Sequence, residues 1–112
     1  MALLACLAEV LKRERVPYLT LRHPPAFTAP ELCAVAHIPG RRSAKVVICI
    51  ADAAPVQAVL PAHYLVDLDA LRALVGCASL RLAKEAEIAA LYPEFEVGAM
   101  PPFGMMHGHR VF

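Results

Sequence analysis

The sequence predicts a mixed α/β (α+β) single domain, with helices packed around one sheet. Three observations carry this reading. Segments of helical spacing alternate with short apolar segments, in the order helix, strand, helix, hairpin, helix, strand, helix, strand. Val46 to Ala51 is an uninterrupted apolar run rich in β-branched residues, the pattern of a buried strand. The chain has 112 residues, 59% of them hydrophobic, and a formal net charge of +1. That length suits one core, and that composition excludes disorder as the main state.

Each element follows from local chemistry. Leu3, Leu4, Leu7, Val10 and Leu11 recur at helical spacing, and Lys12, Arg13 and Arg15 complement the end of the dipole, so residues 2–14 read as an amphipathic helix. Val16 to Arg22 alternates apolar and polar positions and reads as a short strand, ended by His23-Pro24-Pro25. Thr28-Ala29-Pro30-Glu31 has the form of a capping box and opens a helix to about Ala36, which Pro39-Gly40 closes. Ala44 to Ala51 reads as a central strand buried on both faces. Asp52 to Pro55 reads as a turn, and Val56 to Leu60 as the return strand, stopped by Pro61. Asp67 caps a helix that runs to Val75 and ends at Gly76. Ser79 to Leu82 reads as a strand, Lys84 to Tyr92 as a helix stopped by Pro93, and Met105 to Phe112 as a final strand.

Composition narrows the function. The longest apolar runs fall far short of the ~18 residues that a bilayer-spanning helix needs. Met1 to Val10 lacks the basic start and cleavage site of a signal peptide. A pI near 7.7 provides no broad positive field, so any RNA contact must be local. The cysteines Cys6, Cys33, Cys49 and Cys77 show no CxxC spacing and sit in apolar stretches, which suits free thiols in a reducing cytoplasm.

Two features stand out chemically. Lys45 opens the most hydrophobic strand, where lysine is rarely buried without a partner. Two readings fit it: a stem that snorkels to water, or a cation at the mouth of a pocket that serves a phosphate or a developing oxyanion. The loop Gly98-Ala99-Met100-Pro101-Pro102-Phe103-Gly104 packs Gly and Pro around the apolar Met100 and Phe103. It reads either as a tight connection or as a rigid loop whose amides donate to a carbonyl or an anion. Weaker signals surround these. His107 and His109 would share one strand face but have no third ligand nearby in sequence, and His23 and His63 are isolated. Ser43 and Ser79 lack a nucleophile-elbow context. Cys33 has His37 one turn later, and Arg41-Arg42 forms a small basic patch beside Lys45.

Lys45 with its strand, the return strand Pro55 to Pro61, the Gly98 to Gly104 loop and His23-Pro24-Pro25-Ala26-Phe27-Thr28-Ala29-Pro30-Glu31 together resemble the YbaK/ProX family. The resemblance implies a central mixed, barrel-like sheet flanked by helices. It implies a cytoplasmic trans-editing deacylase that hydrolyses the ester of a mischarged tRNA, with tRNA for proline as a candidate, lysine-assisted and without metal or cofactor. Its implied partners are mischarged tRNA and an aminoacyl-tRNA synthetase, with no membrane and no DNA. Lys45 matches the family's essential lysine, and Gly98 and Pro101 match its Gly-x-x-Pro loop, with amides near Gly98 and Ala99 on the substrate carbonyl. Tyr18, Phe27, Val46, Met100, Pro101 and Gly104 take substrate-binding positions. Several characterised members carry Thr or Asn where Val46 stands, so amino-acid specificity does not carry over. Residues 1–112 are expected to form one editing domain without the strands and helix that continue family domains. Three other readings compete: a non-catalytic binding module for an aminoacyl or adenylate moiety, a nucleic-acid-binding protein, and a thiol hydrolase using Cys33.

Overall fold

The structure is a computed structural model that describes residues 5–22, 24–26, 28–95 and 100–112. Helix α1 (Ala5–Arg13) buries Leu7 and places Lys12 and Arg13 in its last turn. Helix α2 (Ala29–Ala36) starts where the Thr28 hydroxyl accepts from the Glu31 amide at 3.2 Å, and it ends at His37 in a left-handed conformation. A 3₁₀ turn, Gly40–Arg42, leads into strand β1 (Ala44–Ala51). Strand β2 (Ala54–Pro61) returns antiparallel, from Ala51 opposite Ala54 to Ala44 opposite Pro61. Helix α3 (Leu68–Val75) is capped by the Asp67 carboxylate and closed by Gly76 at φ 80°. Strand β3 (Leu80–Leu82), helix α4 (Glu85–Leu91), a second 3₁₀ turn (Gly104–His107) and strand β4 (Arg110–Val111) complete the order.

The sheet runs β3-β1-β2-β4, antiparallel except for the parallel β2–β4 pair. Among the described residues it is open and not barrel-like, with β3 and β4 as its edges. One face carries the core: Cys49, Ala51, Val56 and Ala58 pack under Leu71 and Val75 of α3. The other face buries Ile48 and, opposite it, Gln57. Arg81 of β3 grips Glu87 of α4 through two bonds of 2.7 and 2.9 Å, which holds that carboxyl down at about 2.

The hairpin turn has two residues, Asp52 and Ala53, at φ 48° and 78°. Two positive φ values match the right-handed strand twist but favour Asn or Gly. Asp52 compensates. Its carboxylate accepts from the Ala78 and Ser79 amides at 3.0 and 2.9 Å, tying the turn to the chain that enters β3.

Several expectations need correction. Val16 to Arg22 is not a strand. Pro17 donates no hydrogen bond, no described strand pairs with the segment, and Leu19 is 91% exposed. β1 is central, but only Ile48, Cys49 and Ala51 are buried; Val46, Val47 and Ile50 are half-buried. The cause is the short β3, which covers Cys49 to Ala51 and leaves the start of β1 with one neighbour. β2 is longer than expected because Pro55 and Pro61 lie near its ends, where a missing donor is tolerated. Met105 to Phe112 is mostly not a strand, since the 3₁₀ turn and Gly108 at φ 73° leave two residues for β4.

Ala53→Gly is expected to raise stability by about 1 kcal/mol in urea unfolding, because it relieves a left-handed alanine. Asp52→Ala should lower it by about 1–2 kcal/mol, because two amides lose their acceptor.

Candidate functional site

Lys45 is half-buried and sits opposite Leu60 at the start of β1. Alternation puts it on the face of Val47 and Cys49, and puts Val46 on the face of Ile48 and Gln57. Among the described residues its ammonium takes part in no ion pair or hydrogen bond. The expected loop is described from Met100 onward. Met100 and Pro101 are half-buried, and Gly104 is buried. Gly98, Ala99 and Phe27 lie outside the described residues, and so does their placing against Lys45. Tyr18 is 49% exposed on the extended segment after α1.

The sheet holds the loop's end through Gln57, the one buried polar residue among those described, at 1% exposure. The Gly104 amide donates to Gln57 Oε1 at 3.0 Å. A Cβ at Gly104 would stand 2.8 Å from Gln57 Cδ, so the close approach requires glycine. Tyr92 is 1% exposed, and its hydroxyl lies 2.6 Å from His109 Nδ1. Burial pushes the Tyr92 hydroxyl above its ordinary value. Burial, and then the neighbouring His107, pull His109 below the usual histidine range. The Gly104 N–H donates to Gln57, and the Tyr92 hydroxyl and His109 Nδ1 share a hydrogen bond. Alongside, His107 pairs with Glu94 through Nε2, its Nδ1 is buried without a partner among the described residues, and its ring stacks on His109 at 6.0 Å.

This network replaces the strand-face reading of the two histidines, whose partners are Glu94 and Tyr92. Among the described residues no three ligating side chains converge as a metal site. The thiol reading has no support in the geometry. Cys33 is buried on α2, His37 is exposed at its end, and no bond joins them. Sequence reasoning missed Gln57 and Tyr92. The available signal was a lone amide inside the apolar run Ala54 to Pro61, which implies a buried, satisfied partner.

Two hollows flank this region. A cavity of about 300 Å³ at the turn end of the hairpin is lined by Asp52, Cys77, His109 and Arg110 among others. An apolar groove of about 380 Å³ lies between α1 and the second 3₁₀ turn, with Leu11, Val16, Phe103 and Met106 in its walls. Lys45 lines neither.

Gln57→Leu should cost about 1–3 kcal/mol in urea unfolding, because it orphans the Gly104 amide. His109 binds its proton less readily folded than unfolded, so its contribution is complete above about pH 6.5 and is lost as pH falls below that value. Unfolding series between about pH 7.5 and 5 should show this loss in the parent and a smaller one in His109→Gln.

The aminoacyl-tRNA editing domain family matches residues 23–112. The chain is similar to the crystal structure of hypothetical protein APE2540, at 25% identity and a TM-score of 0.70, over 86% of this chain and 64% of that one. It also matches a structure from "Epitope backbone grafting by computational design for improved presentation of linear epitopes on scaffold proteins", at 22% identity and a TM-score of 0.68. That match covers 88% of this chain and 62% of the other, and it speaks for the fold alone. This chain thus spans less than two thirds of either. Among curated proteins nothing matches.

Proposed function

Because the chain belongs to the aminoacyl-tRNA editing domain family, we propose that it is a trans-editing deacylase that cleaves the ester of a mischarged tRNA. The observation that carries this is the extent of the match, which includes the Lys45 strand and the Gly98 to Gly104 loop together. tRNA for proline is the candidate substrate that the resemblance supplies, an aminoacyl-tRNA synthetase is the candidate partner, and the cytoplasm is where both occur.

In this mechanism amides near Gly98 and Ala99 hold the ester carbonyl and stabilise the charge that develops on its oxygen. Met100, Pro101, Gly104, Val46, Tyr18 and Phe27 surround the aminoacyl group. Gln57 fixes the far end of the loop through Gly104. Lys45 anchors the terminal nucleotide or its phosphate and acts through position more than by proton transfer. Among the described residues its ammonium is unpaired, which leaves it available for that role. The nucleophile is water or a group of the substrate itself. Among the described residues no serine or cysteine hydrogen-bonds a histidine, and burial raises the Cys49 thiol. Attack on the carbonyl carbon gives a tetrahedral intermediate. The bond to the ribose oxygen then breaks, and that oxygen takes the proton released by the nucleophile.

Val46 favours a second reading, a module that binds the aminoacyl moiety without turnover, because the family's polar side chain is missing there. One panel separates the two: mischarged tRNAs incubated with the protein, following ester loss and binding together. Deacylation supports the first reading, and binding without ester loss supports the second.

Lys45→Ala should lower deacylation of the best substrate by about 100-fold, with stability within about 0.5 kcal/mol of the parent. Lys45→Arg should restore only part of the rate, because a planar guanidinium differs from an ammonium in shape and reach. Unchanged turnover in Lys45→Ala would remove the lysine from the mechanism.

A further inference from the structure

We propose that the hollow at the turn end of the β1–β2 hairpin is a binding site for a free α-amino acid with an apolar side chain. Arg110 takes its carboxylate, Asp52 takes its ammonium group, and the apolar wall takes its side chain. Lys45 lies at the other end of the hairpin, so this site is separate from the one proposed there and does not depend on the deacylase reading.

The fold brings three segments together here. The hollow, of about 300 Å³, lies between the two-residue turn, the end of α3 and the start of β4. Arg110 pairs with Val56 in the parallel β2–β4 ladder, so its side chain stands on the face that α3 covers. There its guanidinium reaches the Val75 carbonyl at 3.4 Å and lies 4.7 Å from the centre of the Phe112 ring. These contacts hold the cation in place and use one of its five donors.

The two charges of the hollow do not cancel. Asp52 is the one carboxylate in its wall, and Arg110 is the one permanent cation. Among the described residues they form no ion pair with each other or with any other side chain. The Ala78 and Ser79 amides fix Asp52, one on each oxygen, and each oxygen can accept again. Burial, and then His107, hold His109 below the usual histidine range, so at neutral pH it adds no second positive charge. Opposite charges held apart in one hollow are complementary to a zwitterion. A lone anion would meet Asp52, and a lone cation would meet Arg110.

The rest of the wall is largely apolar. Ala51, Val56 and Val75 are buried members of the core, and Ala54 and Pro55 adjoin them. Gly76 and Gly108 also line the hollow, and a Cβ at either would meet nothing within 4 Å, so the mouth opens there. Burying a hydrocarbon side chain on this wall supplies affinity, while the two charges fix orientation. An aliphatic α-amino acid carries the carboxylate, the ammonium group and the hydrocarbon in one small molecule. A ligand of so few atoms binds at millimolar concentration.

The test is amide NMR of the full chain titrated with L-leucine, leucinamide, isocaproate and glycine. Leucine should shift the Gly76, Cys77, Gly108 and Arg110 amides to saturation. Leucinamide lacks the carboxylate, isocaproate lacks the ammonium group, and glycine lacks the side chain. Each should bind about tenfold more weakly than leucine. Arg110→Gln should weaken leucine about tenfold and bring it level with leucinamide, and Arg110→Lys should keep part of the difference. The half-buried Cys77 thiol lines the hollow, so leucine should slow its alkylation by iodoacetamide, read by mass spectrometry, and Arg110→Gln should remove that protection. No saturable shift, equal binding of leucine and its two analogues, parent-like binding by Arg110→Gln, or shifts confined to Lys45 and Met100 to Gly104 would each overturn the proposal. The two readings fail separately. Leucine binding at this hollow with no hydrolysis of any mischarged tRNA keeps the site and removes the deacylase. Hydrolysis with no leucine binding at the hollow keeps the deacylase and removes the site.

Discussion

The register of β1 against β2 is the constraint on which the rest of the domain depends. A two-residue turn sets it, with Asp52 and Ala53 both at positive φ. β3 adds to β1, β4 adds to β2, α3 covers one face, and the Gln57 contacts occupy the other. A slip of one residue would exchange these faces. Val56 would leave the core under α3, and Gln57 would enter it with its amide unsatisfied. The turn therefore carries strain that glycine would relieve, and the Asp52 carboxylate offsets it by closing the chain before β3.

The two faces do different work. Beneath α3 the packing is apolar and specifies little beyond burial. On the other face the Gln57 side-chain oxygen holds the Gly104 amide, and Tyr92 pairs with His109. Buried polar bonds of this kind fix the conformation of the segments they join. These segments are the turn after α4 and the described end of the Gly-Pro loop. The loop's position is thus a property of the sheet, because its last residue bonds to a side chain in the middle of β2.

The hairpin is also polar along its length in the electrostatic sense. Its turn end holds the only carboxylate between Glu31 and Asp67, and its open end gathers Arg41, Arg42 and Lys45. In a chain whose net charge is +1, this local separation supplies a directed field where the total charge cannot. Lys45 belongs to that cationic end by position.

Local chemistry alone determined α2, β1 and α3. Thr28, Asp67 and Gly76 are caps whose geometry is set within a few residues, and β1 runs from Ala44 to Ala51 as its β-branched pattern requires. The family was likewise legible, since its motifs are short-range patterns. Tertiary structure decided the rest. The alternation of Val16 to Arg22 resembles that of a strand, but pairing needs a partner, and no described strand provides one. Met105 to Phe112 became a 3₁₀ turn because the Gly104 amide is drawn to Gln57 and Gly108 adopts a left-handed conformation. Gln57 lies 47 residues from the glycine it holds, and Tyr92 lies 17 from its histidine. Contacts at such separations have no period or spacing in the sequence. They exist because the register of one hairpin brings those atoms within hydrogen-bonding distance.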